Sequence, residues 1–290
     1  MDRAELLRKI TSLSLRSASL AEDVLSGGFR SVFRGNGIEF DEVRRYEPGD
    51  DVRSIDRNVS ARFGTPYIKL YREEREMCVC LITDCSASMF SGGSAPVSRY
   101  EQAVMTAALI AFSAEHAGQR LCALFFDNEA RSIFKPRRGR AHTLALLSAA
   151  LNASPCGKGT SLTGAIKAAR GLLKRRSLMV FISDFLASGW ERDFGALCLK
   201  HDCIAIRISD PIEYAFPRAG LVPVEDAETG RLILAASNSP SFQTAWRDWQ
   251  QERRHAWSAI CKSRGAAELE ISTGEEAALA LQRFFRSRRA

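Results

Sequence analysis

The chain has 290 residues, of which 46% are hydrophobic and 26% charged, enough for one medium α/β domain with additions or for two small ones, and this excludes general disorder. Its net charge of +7 is held partly in the tail Arg283-Phe284-Phe285-Arg286-Ser287-Arg288-Arg289 and reads as a solvated basic surface, because no aromatic-interleaved RNA motif or zinc finger accompanies it and no nucleic-acid partner is expected. The eight cysteines contain no Cys-x-x-Cys pair and several lie in apolar runs, so they are expected to be reduced, as small hydrophobes in a cytoplasmic protein.

Leu6, Ile10 and Leu13 stand at helical spacing near the start, but Asp2, Glu5, Glu22 and Asp23 interrupt them and leave no apolar leader. No later window approaches the eighteen or so apolar residues of a membrane span, so no transmembrane segment is expected. Residues 1–75 are therefore expected to be an N-terminal helix followed by irregular structure and short strands, since 27–75 are rich in Gly, Arg, Asp and Glu. Within them, Arg44, Arg45 and Arg53 against Asp50, Asp51 and Asp56 read as ion-paired loop structure.

From Met77 the pattern changes. The spacing predicts strand 77–83, helix 100–117, strand 120–126, a hairpin through Asp127-Asn128-Glu129 into a strand at 131–134, and helix 141–151. After the break Ser154-Pro155-Cys156-Gly157-Lys158-Gly159 come helix 162–174, strand 178–182, helix 190–200 and strand 203–208. Apolar strands separated by helices predict an α/β fold with a doubly wound, mostly parallel sheet over residues 76–290. Leu221–Val224 and Arg231–Ala235 predict a β-hairpin inserted at about 211–236. Phe242, Trp246, Trp249, Trp257 and Ile260 then mark one helical stripe, expected to be core packing, before strand 267–271 and helix 275–286.

In an open α/β sheet, ligands bind at the carboxyl ends of strands near the point where strand order reverses. Three segments bring oxygens there: Asp84-x-Ser86-x-Ser88 after the first strand, Thr160 in the loop before helix 162–174, and Asp184 after Ser183. Thr160 reads as either an N-cap or a ligand, and Asp184 taken alone reads as either a ligand or an acceptor for a backbone amide. An all-oxygen set suits a hard divalent cation, and Mg²⁺ in particular binds few carboxylates and keeps waters that an outside ligand can replace.

Other chemistries fit less well. A haloacid-dehalogenase phosphatase needs a second Asp where Ser86 stands, a serine hydrolase needs a Gly-x-Ser-x-Gly elbow with a positioned His, and Gly157-Lys158-Gly159-Thr160-Ser161 lacks the upstream Gly of a phosphate loop, Ala153 occupying that position. His116, His142, His201 and His255 read as surface or packing residues.

The order Asp84-x-Ser86-x-Ser88, then Thr160, then Asp184 resembles the metal-ion-dependent adhesion site of von Willebrand factor A domains. That resemblance implies Ser86, Ser88 and Thr160 as ligands of Mg²⁺ or Mn²⁺, with Asp84 and Asp184 fixing waters and balancing charge, and a partner Asp or Glu completing the shell. A longer resemblance runs through Gly35-x-Gly37-Ile38-Glu39-Phe40, Arg44-Arg45-Tyr46-Glu47-Pro48-Gly49-Asp50-Asp51-Val52-Arg53-Ser54-Ile55-Asp56, Ala61-Arg62, Glu73-Glu74-Arg75, Asp210-Pro211, Pro217, Gly220 and Glu228-Thr229-Gly230. These segments are similar to an uncharacterised bacterial family encoded beside MoxR-type AAA+ ATPases, although Arg57 stands where that family usually has Trp. The resemblances imply a von Willebrand factor A-like, Rossmann-type fold and a non-catalytic, cation-dependent adaptor or co-chaperone of a MoxR-type AAA+ ATPase that binds an acidic client protein. The alternative is a metal-dependent hydrolase using the same Asp84, Ser86, Ser88, Thr160 and Asp184.

Overall fold

The computed structural model describes residues 38–51, 54–73, 77–91, 95, 97–154, 159–225 and 231–288. The helix expected over 1–25 and the turn of the inserted hairpin at 226–230 lie outside them. The chain divides into a small unit within Gly28–Glu76 and a large one from Met77 onward.

In the small unit, β1 (Ile38–Arg45) pairs antiparallel with β2 (Tyr67–Glu73), with a register shift between Phe40 and Glu42. A helix not expected from the sequence, Arg57–Phe63, intervenes: the Asp56 side chain accepts from the amides of Asn58 and Val59, and Gly64 at φ 68° ends it in the left-handed conformation that glycine adopts without strain. Arg44 pairs with Asp50 at 2.7 Å, as the reading of ion-paired loop structure expects.

The large unit is built on β3 (Cys78–Asp84), β4 (Arg120–Phe126), β5 (Ala130–Arg137), β6 (Leu178–Ser183), β7 (Asp202–Ser209) and β10 (Ala267–Ser272), in the order β10-β7-β6-β3-β4-β5. All neighbours run parallel except β5, which returns antiparallel on β4. Every residue of β3 and of β6 is buried, as strands covered on both faces require, whereas β5 alternates half-buried and exposed side chains and tolerates Pro136 because it is an edge.

One face of the sheet, with Cys78, Cys80 and Ile82, is covered by the helices Leu162–Leu172, Glu191–Cys198 and Pro240–Ser263, which contribute Ile166, Phe194 and Trp257. The helix Arg99–His116 also packs on β3, and the helices Arg140–Asn152 and Ala277–Ser287 pack against it. Ser98 and Glu101 form a reciprocal capping box that starts it. From β3 the chain builds outward through β4 and β5, then crosses back to add β6, β7 and β10 on the other side, so strand order reverses between β3 and β6.

Two outer features refine the expectations. The hairpin strands β8 (Leu221–Glu225) and β9 (Leu232–Ala236) pair with each other, and Leu221, Leu232, Ile233 and Leu234 are all exposed. The aromatic stripe of the helix Pro240–Ser263 is only partly core: Trp257 is 6% exposed, but Trp249 is 49% exposed, and Trp246 is half-buried with its indole N–H donated to the Ile212 carbonyl at 2.9 Å. Helical spacing sets a common direction, but what covers the first half of that stripe is Phe216 at its side, not the sheet.

Candidate functional site

β3 and β6 end side by side, and their apolar runs deliver Asp84 and Asp184 to the carboxyl edge at the reversal of strand order. Asp84 is fully buried. Its Oδ1 accepts from the Ser86 amide at 2.9 Å and its Oδ2 from the Ser183 hydroxyl at 2.6 Å. Both oxygens are thus engaged, which fixes the carboxylate and leaves it to orient its neighbours and supply charge.

Ser86 sits at the N-cap of the short helix Ala87–Phe90, yet its side chain makes no capping bond. Its hydroxyl lies 3.1 Å from that of Ser88, both buried. A serine at a helix entry ordinarily caps it. Here the hydroxyl is turned toward a second hydroxyl.

Asp184 is 2% exposed, with Oδ1 accepting from the Leu186 amide at 3.1 Å, and its Oδ2 is buried without a hydrogen-bond partner among the described residues. The residue after it, Phe185, has φ 53°, a left-handed conformation costly for a side chain of this kind. The Ser183 hydroxyl accepts the Phe185 amide at 3.0 Å, and the ring packs on Trp190 and Trp257, which hold the turn in place.

Thr160 reaches the same edge through the backbone. Ser161, its neighbour, donates its amide to the Asp127 carbonyl at 2.7 Å just past β4, while the Cys85 amide bonds the Phe126 carbonyl at 2.7 Å. The cap of the helix Leu162–Leu172 is Ser161, whose hydroxyl accepts from the Gly164 amide at 3.1 Å. The helix entry therefore does not use Thr160 as its N-cap, which decides one half of the alternative left open by the sequence.

Electrostatics single out the carboxylate pair. Burial pushes the Asp84 carboxyl up to about 7, the Asp184 charge adds to the rise, and the bonds from Ser183 and Ser86 oppose it. A cation would offset the repulsion between two buried carboxylates, and no cluster of three or more His, Cys, Asp or Glu side chains suited to a metal occurs among the described residues. The donor set is two carboxylates with serine hydroxyls, hard oxygens throughout, and it fits Mg²⁺ or Mn²⁺ better than a thiol- or imidazole-seeking metal.

Three residues near the site carried no sequence signal. Ser183 is one. Arg99 donates to the Ser88 carbonyl at 3.4 Å and pairs with Glu213 at 2.9 Å. Arg253 lies over the Trp249 ring at 4.7 Å, and burial and the Arg207 charge hold its guanidinium below the usual range while Asp184 and Glu213 oppose that fall. The Arg99 contacts join distant parts of the chain, which the rhythm of one helix does not reveal.

The family model for "Protein of unknown function DUF58" matches residues 42–256. The chain belongs to that family. The uncharacterized protein Rv1480 of Mycobacterium tuberculosis is 32% identical over 292 aligned residues, covering 100% of this chain and 92% of its own. Among solved structures, an aerotolerance-related membrane protein of Bacteroides fragilis aligns at TM-score 0.50 and 16% identity over 73% of this chain and 98% of its own. The SpRpn10 VWA domain aligns at TM-score 0.42 and 12% identity over 71% of this chain and 94% of its own. At such identities the likeness to the B. fragilis protein speaks to fold alone, an α/β sheet with flanking helices. Among the described residues no helix of this DUF58 chain is long and apolar enough to cross a membrane.

Proposed function

We propose that this DUF58 protein is a non-catalytic, divalent-cation-dependent protein-binding module. The observation that carries the reading is the placement at one sheet edge of the Ser86 and Ser88 hydroxyls and the Asp184 Oδ2, which has no hydrogen-bond partner among the described residues, with Asp84 locked beside them. In this reading Ser86, Ser88 and Thr160 hold the ion, and Asp84 and Asp184 balance its charge and orient its waters. When bound, Mg²⁺ or Mn²⁺ would neutralise the carboxylate pair and supply an electrophilic contact for an Asp or Glu of the client protein. Ser183 and the Ser86 amide keep Asp84 in place throughout, and the turn at Phe185 keeps Asp184 aimed at the edge.

The partner in this reading is a MoxR-type AAA+ ATPase, with the chain as its adaptor or co-chaperone. Support for that step is the family resemblance of the Arg44–Asp56 segment and the later motifs. The test is retention of lysate proteins on the immobilised chain in Mg²⁺ and in EDTA, with identification by mass spectrometry. Retention of an AAA+ ATPase in Mg²⁺ that is lost both in EDTA and with Ser86→Ala plus Ser88→Ala is expected. Equal retention in all three arms overturns the metal bridge, and turnover of phosphate or acyl esters by the purified chain would favour the hydrolase.

A further inference from the structure

A second polar site lies at the carboxyl end of β7. There a cavity of about 270 Å³ is lined by Arg207, Glu213, Tyr214, Arg247, Gln250 and Arg254, among others. Its charges do not cancel. Glu213 is shared by Arg99 and Arg207, and Glu270 by Arg207 and Arg254. Three guanidinium groups thus share two carboxylates, and every oxygen of Glu213 is engaged from within the protein. Arg247, which also lines the cavity from the helix Pro240–Ser263, forms no ion pair among the described residues and bonds the Gln243 carbonyl of its own helix.

Gln250 adds a second requirement. It is 8% exposed, and its amide Oε1 is buried without a hydrogen-bond partner among the described residues. A buried acceptor left unpaired is desolvated without compensation, so an occupant that donates a hydrogen bond is favoured. A guanidinium-rich wall asks for an anion, and Arg matches a carboxylate through two parallel bonds. Sulfate would satisfy the arginines but bring no donor. An acidic side chain carried on a peptide brings both, with a backbone N–H for Gln250.

We propose that this cavity binds an aspartate or glutamate side chain of a polypeptide, as an acid-recognition pocket separate from the Asp84–Asp184 site. The inference rests on reading the chain as a binder of acidic proteins, but it does not need the cation. Arg207 on β7 pairs in register with Ser183 on β6, directly before Asp184, which puts the pocket and the carboxylate pair on one stretch of the sheet edge. A client could then be read at two points, one acid at the ion and one in the pocket.

The probe is a fluorescein-labelled six-residue peptide with two glutamates, and its twin with two glutamines, titrated by fluorescence anisotropy against the full chain in EDTA. The glutamate peptide is expected to bind at least tenfold tighter than its twin. Arg247→Glu is expected to abolish that preference, while Arg247→Lys retains part of it and Ser86→Ala plus Ser88→Ala leaves it unchanged. Arg247 is exposed, so its variants should fold, and circular dichroism checks this. Equal binding of the two peptides, or a preference that survives Arg247→Glu, overturns the pocket. Sulfate that competes at matched ionic strength with an affinity equal to that of the glutamate peptide overturns the peptide assignment. Loss of binding in EDTA that Mg²⁺ restores would leave the proposed cation site standing and remove this one.

Discussion

The Ser183 hydroxyl donates to Oδ2 of Asp84 at 2.6 Å across the paired strands β3 and β6, so the first residue of the oxygen motif is held by a residue 99 positions later. A hydrogen bond to a buried charged group contributes about 1.5–3 kcal/mol, because its loss leaves the acceptor desolvated and unpaired. Ser183→Ala should therefore lower unfolding stability by that amount at pH 8 and weaken Mg²⁺ binding as well. Urea unfolding in EDTA and calorimetric Mg²⁺ titration check it, and a loss below about 0.5 kcal/mol would show that Asp84 does not depend on the bond.

The raised Asp84 carboxyl makes a pH prediction whose sign follows from proton linkage. From its ordinary 3.8 it rises to about 7, so between those values the native state holds a proton that the unfolded chain releases. The contribution is fully present below about pH 4, declines as pH rises through 7, and is absent above. Asp84→Asn should remove this component, so the stability of wild type relative to the variant falls between pH 5 and pH 8 in EDTA. Mg²⁺ favours the ionised pair, so its stabilising effect should grow over the same interval. Parallel melting curves for the two proteins across that range would contradict the assignment.

Asp184 gives a sharper separation of charge from fold. Its Oδ2 has no partner among the described residues and its charge opposes ionisation of Asp84, so Asp184→Asn should leave stability in EDTA unchanged or slightly raised. A ligand that binds only the native state at about 100 times its Kd adds about 2.7 kcal/mol. That gain in Mg²⁺ should be present in wild type and missing in the variant. A thermal shift with Mg²⁺ that persists in Asp184→Asn would mean the ion binds elsewhere.

The alternation of apolar strands and helices made the large sheet legible, because buried parallel strands read as unbroken apolar runs, as Cys78–Thr83 and Leu178–Ile182 do. The placement of Asp84 and Asp184 at the carboxyl edge was legible for the same reason, since each stands where such a run ends. The helix Arg57–Phe63 was hidden in a charged segment too short to show a period, although Asp56 offered a cap signal. Arg99 and Glu213 are 114 positions apart, and Ser183 stands beside a motif residue that drew attention first, so no local pattern marked either contact. Trp249 shows the converse error, since a stripe states a direction and not what lies there.

Arg207 offers the last test, inside the network that frames the acid pocket. Its side chain is 4% exposed and reaches Glu213 and Glu270 together. Removing one member of a buried ion pair costs about 3–5 kcal/mol, because the remaining charge is left desolvated. Here Glu213 keeps Arg99 and Glu270 keeps Arg254, so Arg207→Leu should sit at the lower end, near 3 kcal/mol. The added change Glu213→Gln should restore part of that loss, since it removes a buried carboxylate left with Arg99 as its remaining ion-pair partner. Urea unfolding of the single and double variants measures both terms. A double variant less stable than Arg207→Leu alone would show that Glu213 holds the fold through Arg99 and the Asp210 amide more than through Arg207.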